Sequence, residues 1–374
     1  MAPEIPRRIL FLVSSMQGGG AERVAALLSN HWAAQGHQVT LMPTFSGRGE
    51  CLYSLDERVR LEYLADRVGG SKRSPLNKLR RFIELRCVIR ETAPHVILSF
   101  LSHVNIAAIV AAQGLGVPVV VSERTYPPSG QLSILLNNFR KWTYPLANAV
   151  VMQTEQGRDW LATSCPRAKA YAIPNPVVYP LPVGNPLLDP GTIVRPERKI
   201  ILGVGRLSEE KGFPCLVDAY CRLANKFTDW DLILLGEGPE REKLEQQVKR
   251  LGLESRVYMP GRVGNLADWY ERSSFYVMSS HFEGFPNTLV EAMAHGLPAV
   301  SFDCSTGPGD IIRHGIDGLL IPPVDGVPAL CFAMEHLIQN GTWRKELAEA
   351  AKLVRRRFSM SRVAEEWDSV LGLK

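Results

Sequence analysis

Glu283 and Glu291 stand eight positions apart in the segment His281-Phe-Glu-Gly-Phe-Pro-Asn-Thr-Leu-Val-Glu291. The first carboxylate precedes a Gly-Phe-Pro-Asn turn, and the second lies in the apolar stretch that follows. That stretch reads as a helix from about Asn287 to His295, and the run before it, Phe275-Tyr-Val-Met-Ser279, reads as a strand. The first amides of a helix lack intrahelical partners and lie at the positive end of its dipole, so the junction suits an anion. Folding demands neither carboxylate. The pair reads as hydrogen-bond acceptors for a polyhydroxylated ligand whose phosphates rest on the helix start.

A second constellation is Gly203-Val-Gly-Arg-Leu-Ser-Glu-Glu-Lys-Gly212. It follows another strand-like run and sets Arg206 and Lys211 at the carboxyl end, where open α/β sheets bind ligands. A guanidinium forks onto phosphate oxygens and a lysine adds a mobile point charge, a combination suited to a diphosphate. Two solvated surface cations would have the same spelling. Near the N-terminus, Ser14-Ser-Met-Gln-Gly-Gly-Gly-Ala-Glu-Arg23 brings Gly18, Gly19 and Gly20 to a helix start. No Gly-Lys-[Ser/Thr] follows, so it is no nucleotide-hydrolase loop, and the dinucleotide spacing G-x-G-x-x-G is imperfect. The loop fits either a phosphate or the close packing of helix on strand. Leu234-Leu-Gly-Glu-Gly-Pro239 and Met259-Pro-Gly-Arg-Val263 fit either walls of a base pocket or plain turns.

The elements that must hold these residues alternate along the whole chain, which is the pattern of parallel α/β architecture. Strands are expected at Arg8–Val13, Gln38–Met42, His95–Phe100, Val117–Ser122 and Ala149–Met152, with helices at about 21–35, 76–92, 103–114, 131–145 and 155–163. A Pro-rich interval, Ile173 to Asp189-Pro-Gly, then favours extended backbone and is read as a linker. Strands resume at Lys199–Val204, Trp230–Leu235, Arg256–Met259, Phe275–Met278 and Pro298–Phe302. Two doubly wound, Rossmann-like domains follow from this: residues 1–176 and 177–357, with a last amphipathic helix within 358–374.

The chain has 374 residues, 45% of them hydrophobic and 22% charged, as expected of a globular protein with two cores. No apolar run is long enough to cross a bilayer, and the N-terminus has no signal-peptide layout. Seven cysteines without a C-x-x-C pair point to a reducing compartment and away from zinc or disulfide scaffolding. Charge is uneven. Residues 1–175 hold 20 basic and 12 acidic side chains, a net of +8, against −3 for the remainder. The excess gathers in Arg67, Lys72, Arg73, Lys78, Arg80, Arg81, Arg86 and Arg90, around an expected helix with an apolar stripe of Leu76, Leu79, Phe82, Ile83 and Ile89. That helix fits either a domain element with a solvated basic face or a surface for anionic lipid, with Asn138-Phe-Arg-Lys-Trp142 extending the patch. Nucleic acid is disfavoured, because no recognised motif accompanies the charge.

Taken together, Gly205-Arg-Leu…Lys211-Gly and Glu283-Gly-Phe-Pro-Asn…Glu291-Ala-Met-Ala-His-Gly resemble the retaining sugar-nucleotide glycosyltransferases of family 4, which have the two-domain GT-B fold. The resemblance covers nearly the whole chain. The Gly-Gly-Gly-Ala-Glu-Arg23 loop and Ser99-Phe-Leu…Asn105…Ser122-Glu-Arg124 are similar to bacterial enzymes that extend lipid-linked surface polysaccharides. The resemblance implies that Arg206 and Lys211 neutralise the donor diphosphate, Glu291 holds the nucleotide ribose and Glu283 faces the donor sugar. It also implies that amides of Phe285, Asn287 and Thr288 hold hydroxyls and phosphate, and that Gly19 and Gly20 close on the phosphate from the first domain. The Gly261-Arg-Val263 backbone would read the base. His103, with Asn105 as its rival, is the candidate beside the reacting sugar, and Glu123 and Arg124 lie on the acceptor side. The implied reaction needs no metal and no cofactor beyond a uridine-diphosphate sugar. The implied acceptor is a lipid-linked saccharide, met from the cytoplasmic side at an anionic membrane surface. A soluble acceptor is the alternative within the fold, and a nicotinamide-dependent oxidoreductase the alternative outside it.

Overall fold

The computed structural model describes residues 5–45, 49, 51–68, 75–129 and 133–374. Lys72 and Arg73 of the basic run lie outside them. The chain divides into two compact units, Met1–Pro176 with Ser361–Lys374, and Val177–Met360. Among the described residues no helix is long and apolar enough to cross a membrane.

The first unit runs β1 (Arg8–Val13), α1 (Gly20–Ala34), β2 (Gln38–Pro43), β3 (Arg60–Leu61), α2 (Leu64–Arg67), α3 (Pro75–Thr92), β4 (Val96–Phe100), α4 (Ser102–Ala112), β5 (Val119–Ser122), α5 (Ile134–Thr143), β6 (Ala149–Met152), α6 (Glu155–Ser164) and β7 (Ala170–Ala172). Its sheet is parallel, in the order β3-β2-β1-β4-β5-β6-β7. The central strands are buried on both faces, which is why they read as unbroken Val, Ile and Leu. Right-handed crossovers then place α1 on one face and α3 to α6 on the other. Short polar signals set the helix starts: Thr154 caps α6 by accepting the Gly157 amide at 3.1 Å, and Ser133 caps α5 through the Leu136 amide.

The second unit runs β8 (Lys199–Val204), α7 (Phe213–Ala224), β9 (Trp230–Leu235), α8 (Arg241–Arg250), β10 (Val257–Gly261), α9 (Leu266–Arg272), β11 (Phe275–Met278), α10 (Asn287–Ala294), β12 (Ala299–Phe302), α11 (Pro308–Ile311), β13 (Gly318–Ile321), α12 (Gly326–Gln339), α13 (Gly341–Ala351) and α14 (Val354–Arg357). Its sheet is again parallel, in the order β10-β9-β8-β11-β12-β13. The last helix, α15 (Met360–Leu371), buries Val363, Ala364, Trp367 and Leu371. Within the first unit Trp367 meets Phe100 at 6.0 Å between ring centroids, and Asp368 accepts the Trp32 indole N–H at 2.8 Å.

From Val177 on, the interval read as a linker is a packed part of the second unit. Val177 and Leu181, with Val194 just beyond the interval, are buried among Trp269, Tyr270 and Tyr276. Asn265 brackets Leu188 by donating to its carbonyl and accepting its amide, both at 3.0 Å, and the Trp269 indole donates to the same carbonyl. Prolines remove backbone donors but leave carbonyls, and the apolar residues between them supply the anchor. The short strands β3, β7 and β13 had no sequence signal strong enough to predict them.

Candidate functional site

In each sheet the strand order reverses once, between β1 and β4 in the first unit and between β8 and β11 in the second. Open α/β sheets bind ligands outside the carboxyl ends of strands at such a point. Lys211 and Glu283 meet at the second, and His103 lies at the first.

In the second unit, the loop after β8 carries Arg206, which is exposed, and Lys211, which is half-buried. The loop after β11 carries Glu283. The Lys211 ammonium donates to Glu283 Oε1 at 2.6 Å, and the Ser280 hydroxyl donates to the same oxygen at 2.7 Å. Backbone contacts hold the two loops together. The His281 amide donates to the Glu210 carbonyl at 2.8 Å, and the Ser279 hydroxyl to the Lys211 carbonyl at 3.0 Å. The turn between Lys211 and α7 needs glycine: Gly212 has φ 59°, and a Cβ there would lie 2.1 Å from the Ser279 carbonyl oxygen. Gly236, with φ 144°, lets the β9 end approach the Gly205 carbonyl, where a Cβ would stand 1.8 Å away.

Pro286 precedes α10 and gives no side-chain cap to the helix start, where Asn287 and Thr288 are half-buried. Thr288 Oγ1 is hydrogen-bonded to the Tyr276 hydroxyl at 2.9 Å, and burial keeps that phenol protonated. Phe285 is buried and meets Phe358 edge-on at 5.3 Å. Its ring anchors the turn. Glu291 is buried one turn further along α10, with Oε2 3.4 Å from the Tyr270 hydroxyl. Gly261 ends β10, and its carbonyl accepts the Gly236 amide at 2.9 Å. Val263 is half-buried against the core beside α9 and α10.

The sequence reading missed the loop after β12, Asp303 to Gly307. Thr306 donates its hydroxyl to the Glu283 carbonyl and so fixes the peptide that carries the carboxylate. Cys304 sits behind it, its thiol pushed up to about 12 by burial and then by the Glu283 charge. A thiol at that value stays protonated and is no nucleophile. Only strand order, which the structure supplies, could have found it: β12 lies next to β11, so its carboxyl end adjoins Glu283.

In the first unit, Gly19 and Gly20 are exposed at the start of α1. The Gly19 amide donates to the Tyr53 hydroxyl at 2.9 Å, which donates back to the Gly19 carbonyl at 2.8 Å. Glu22 accepts from Ser15 at 2.6 Å. His103 begins α4, across the switch point from β1. Its Nε2 lies 3.2 Å from the Ser14 hydroxyl, and the Phe45 ring meets it edge-on at 4.3 Å. Burial lowers the pKa of His103, so the imidazole is neutral near pH 7.

The other acceptor-side candidates are buried within the unit. Asn105 is fully buried: it accepts from Ser99 at 2.8 Å and donates to the Ser122 carbonyl and the Tyr144 hydroxyl. Glu123 is also interior, bonded by Ser102 and Tyr144 and facing the Arg140 guanidinium at 3.7 Å. Burial pushes its carboxyl up, against the pull of those partners. Arg124 donates to Asn175 and lies over the Phe100 ring at 4.3 Å, with burial lowering its guanidinium to about 9. These three side chains organise the strand ends from within.

The basic run is also partly structural. Arg81 donates to the Thr44 carbonyl, Arg86 closes the last carbonyls of α4 at Ala111 and Gln113, and Arg67 pairs with Glu91. Lys78, Arg80 and Arg90 are exposed. No group of three His, Cys, Asp or Glu side chains is arranged to hold a metal among the described residues.

Comparisons with known proteins bear on the family and the fold. Residues 18–178 match the family model described as Glycosyltransferase Family 4, and residues 198–340 the one described as Glycosyl transferases group 1. Over 363 residues, the chain is 27% identical to a Campylobacter jejuni enzyme, covering 96% of this chain and 97% of the relative. That relative is the GalNAc-alpha-(1->4)-GalNAc-alpha-(1->3)-diNAcBac-PP-undecaprenol alpha-1,4-N-acetyl-D-galactosaminyltransferase. The amylovoran biosynthesis glycosyltransferase AmsD of Erwinia amylovora is 25% identical, covering 98% of this chain and 99% of its own. Among solved structures, sucrose-phosphate synthase from Thermosynechococcus elongatus has a TM-score of 0.82 at 19% identity, covering 97% of this chain and 98% of that one. Anabaena HepE in complex with UDP and glucose has a TM-score of 0.80 at 18% identity, covering 98% of this chain and 99% of that one. Two parallel-sheet α/β domains with these structural neighbours define the GT-B class of glycosyltransferases. The chain belongs to glycosyltransferase family 4.

Proposed function

We propose that the protein is a retaining glycosyltransferase that moves a hexose or N-acetylhexosamine from a UDP-sugar to a polyprenyl-diphosphate-linked saccharide. The observation that carries this reading is the Lys211–Glu283 contact at 2.6 Å, set between the ends of β8 and β11. A diphosphate draws the ammonium from the carboxylate, which leaves Glu283 to accept the donor sugar's hydroxyls. Arg206 is exposed beside it and completes the charge on the diphosphate. The start of α10 adds amides, and Glu291 takes the ribose. Metal-free leaving-group stabilisation rests on Arg206, Lys211 and that helix start.

Retention follows from front-face attack. The acceptor oxygen bonds to the anomeric carbon from the side on which UDP departs, the carbon–phosphate oxygen bond breaks, and the departing oxygen takes the acceptor proton. Neutral His103 lines the reaction edge of the first unit. The lipid-linked acceptor is supported by the Campylobacter jejuni relative, whose name specifies an undecaprenol-linked substrate. Such work belongs in cell-surface glycan biosynthesis, on the cytoplasmic face of the membrane.

A thermal-shift series over UDP-sugars tests the donor half: a selective rise with one of them names the sugar. No response to any nucleotide sugar would remove the reading. Product recovered in the organic phase separates the lipid-linked acceptor from a soluble one.

A further inference from the structure

Helix α5 is amphipathic in the inverted sense. Its inward face is polar, with Arg140 only 3% exposed, directed at Glu123 and stacked over the Trp160 ring at 4.9 Å, and with Thr143 buried. Its outward face is apolar: Ile134 is 82% exposed, Leu135 68% and Trp142 72%, with Phe139 between them and Leu146 beyond the helix end. At 100° per residue Ile134, Leu135, Phe139 and Trp142 fall on one face, which the exposed Asn138 shares. Such a helix holds a guanidinium inside while leaving large apolar side chains in water, which folding alone does not favour.

The surroundings specify what covers the stripe. Residues 134–143 contain Arg140 and Lys141 but no carboxylate, and exposed Lys141 flanks the stripe. Helix α4 packs against both α3 and α5, so the three share one face of the sheet. The first half of α3 exposes Leu76, Leu79 and Ile83 together with Lys78 and Arg80, again without an acidic residue up to Ile83. Because the crossover helices run antiparallel to the strands, the starts of α3 and α5 lie at the same sheet edge as His103. Apolar side chains with cationic flanks and an exposed tryptophan are complementary to an anionic headgroup layer over hydrocarbon.

We infer that α5 inserts its outward stripe into an anionic bilayer, with the start of α3 as a second, weaker contact. The inference rests on the proposed function only in taking the membrane as the place where the acceptor resides. The geometry makes α5 the anchor and turns the basic run of α3 into an electrostatic accessory, since Arg81 and Arg86 are already engaged within the fold.

The full chain is tested by co-sedimentation with vesicles of phosphatidylcholine alone and with phosphatidylglycerol added. Wild type should bind the anionic vesicles with a blue shift in tryptophan emission that Trp142→Phe removes, because Trp142 is the most exposed of the seven tryptophans. The triple variant Ile134→Gln, Leu135→Gln, Trp142→Gln should lose about tenfold or more in partitioning while keeping its melting temperature. Lys78→Glu with Arg80→Glu should lose less, and only on anionic vesicles. Equal binding by wild type and the triple variant, or no binding by wild type, would overturn the inference. So would sedimentation velocity showing a wild-type dimer and a monomeric triple variant, which would make a second copy the occupant. Normal vesicle binding with no response to any nucleotide sugar would remove the proposed function and leave this inference standing.

Discussion

The two switch points hold opposite kinds of chemistry. In the second unit a cation and a carboxylate meet at 2.6 Å, with hydroxyls of Ser280 and Thr306 fixing the carboxylate and its peptide. In the first unit the corresponding strand ends bring together His103, Ser14 and Phe45, a set without formal charge near pH 7. Fold repetition therefore does not repeat function. The charged point suits a diphosphate, which must be neutralised. The uncharged point suits an acceptor hydroxyl, which must be oriented without being held as an ion.

Lys211→Ala should cut turnover most, by about 10²–10³-fold, the range seen when one donor to developing negative charge is removed. Steady-state rates with a saturating donor measure it, and wild-type turnover would deprive the lysine of its role. Next in size is Glu291→Gln, expected to weaken UDP binding about 10–100-fold, as for a hydrogen bond to a charged group worth about 1.5–3 kcal/mol. Calorimetric titration with UDP reads it; an unchanged Kd would reduce Glu291 to a packing residue. The smallest effect belongs to His103→Gln, a loss of about fivefold, in keeping with a neutral hydrogen bond near 1 kcal/mol. Its pH signature is the sharper readout. Burial holds the His103 pKa below its ordinary 6.5, so the neutral form is complete above that value and is lost as pH falls through the depressed one. Wild-type activity should decline on the acid side below pH 6.5, and the variant should lack that limb. An identical acid limb in both would move the titration elsewhere.

Glu283, Lys211 and the β8 and β11 ends were legible because parallel strands buried on both faces spell long Val, Ile and Leu runs, and the glycine turns punctuate them. Strand order was not legible, and so the loop carrying Thr306 stayed out of view. The burial of Asn105, Glu123 and Arg124 was not legible for another reason. A buried polar network and a binding surface use the same residue types, and only burial separates them. The inverted face of α5 was hidden by the same ambiguity: the sequence pattern shows a stripe but not which side of it faces the sheet. Prolines disguised 173–191 as a linker, although Val177 and Leu181 carry the apolar content of a core segment.

Helix α15 has a consequence for how the protein is made. The chain enters the second unit after Pro176 and returns at Ser361, so the second unit is an insertion within the first. Trp367, which meets Phe100, and Asp368, which holds the Trp32 indole, are supplied only after the whole second unit has been translated. The unit translated first is thus the last to close its core. A ribosome stalled before residue 361 carries a second unit with all its residues and a first unit still missing a buried tryptophan.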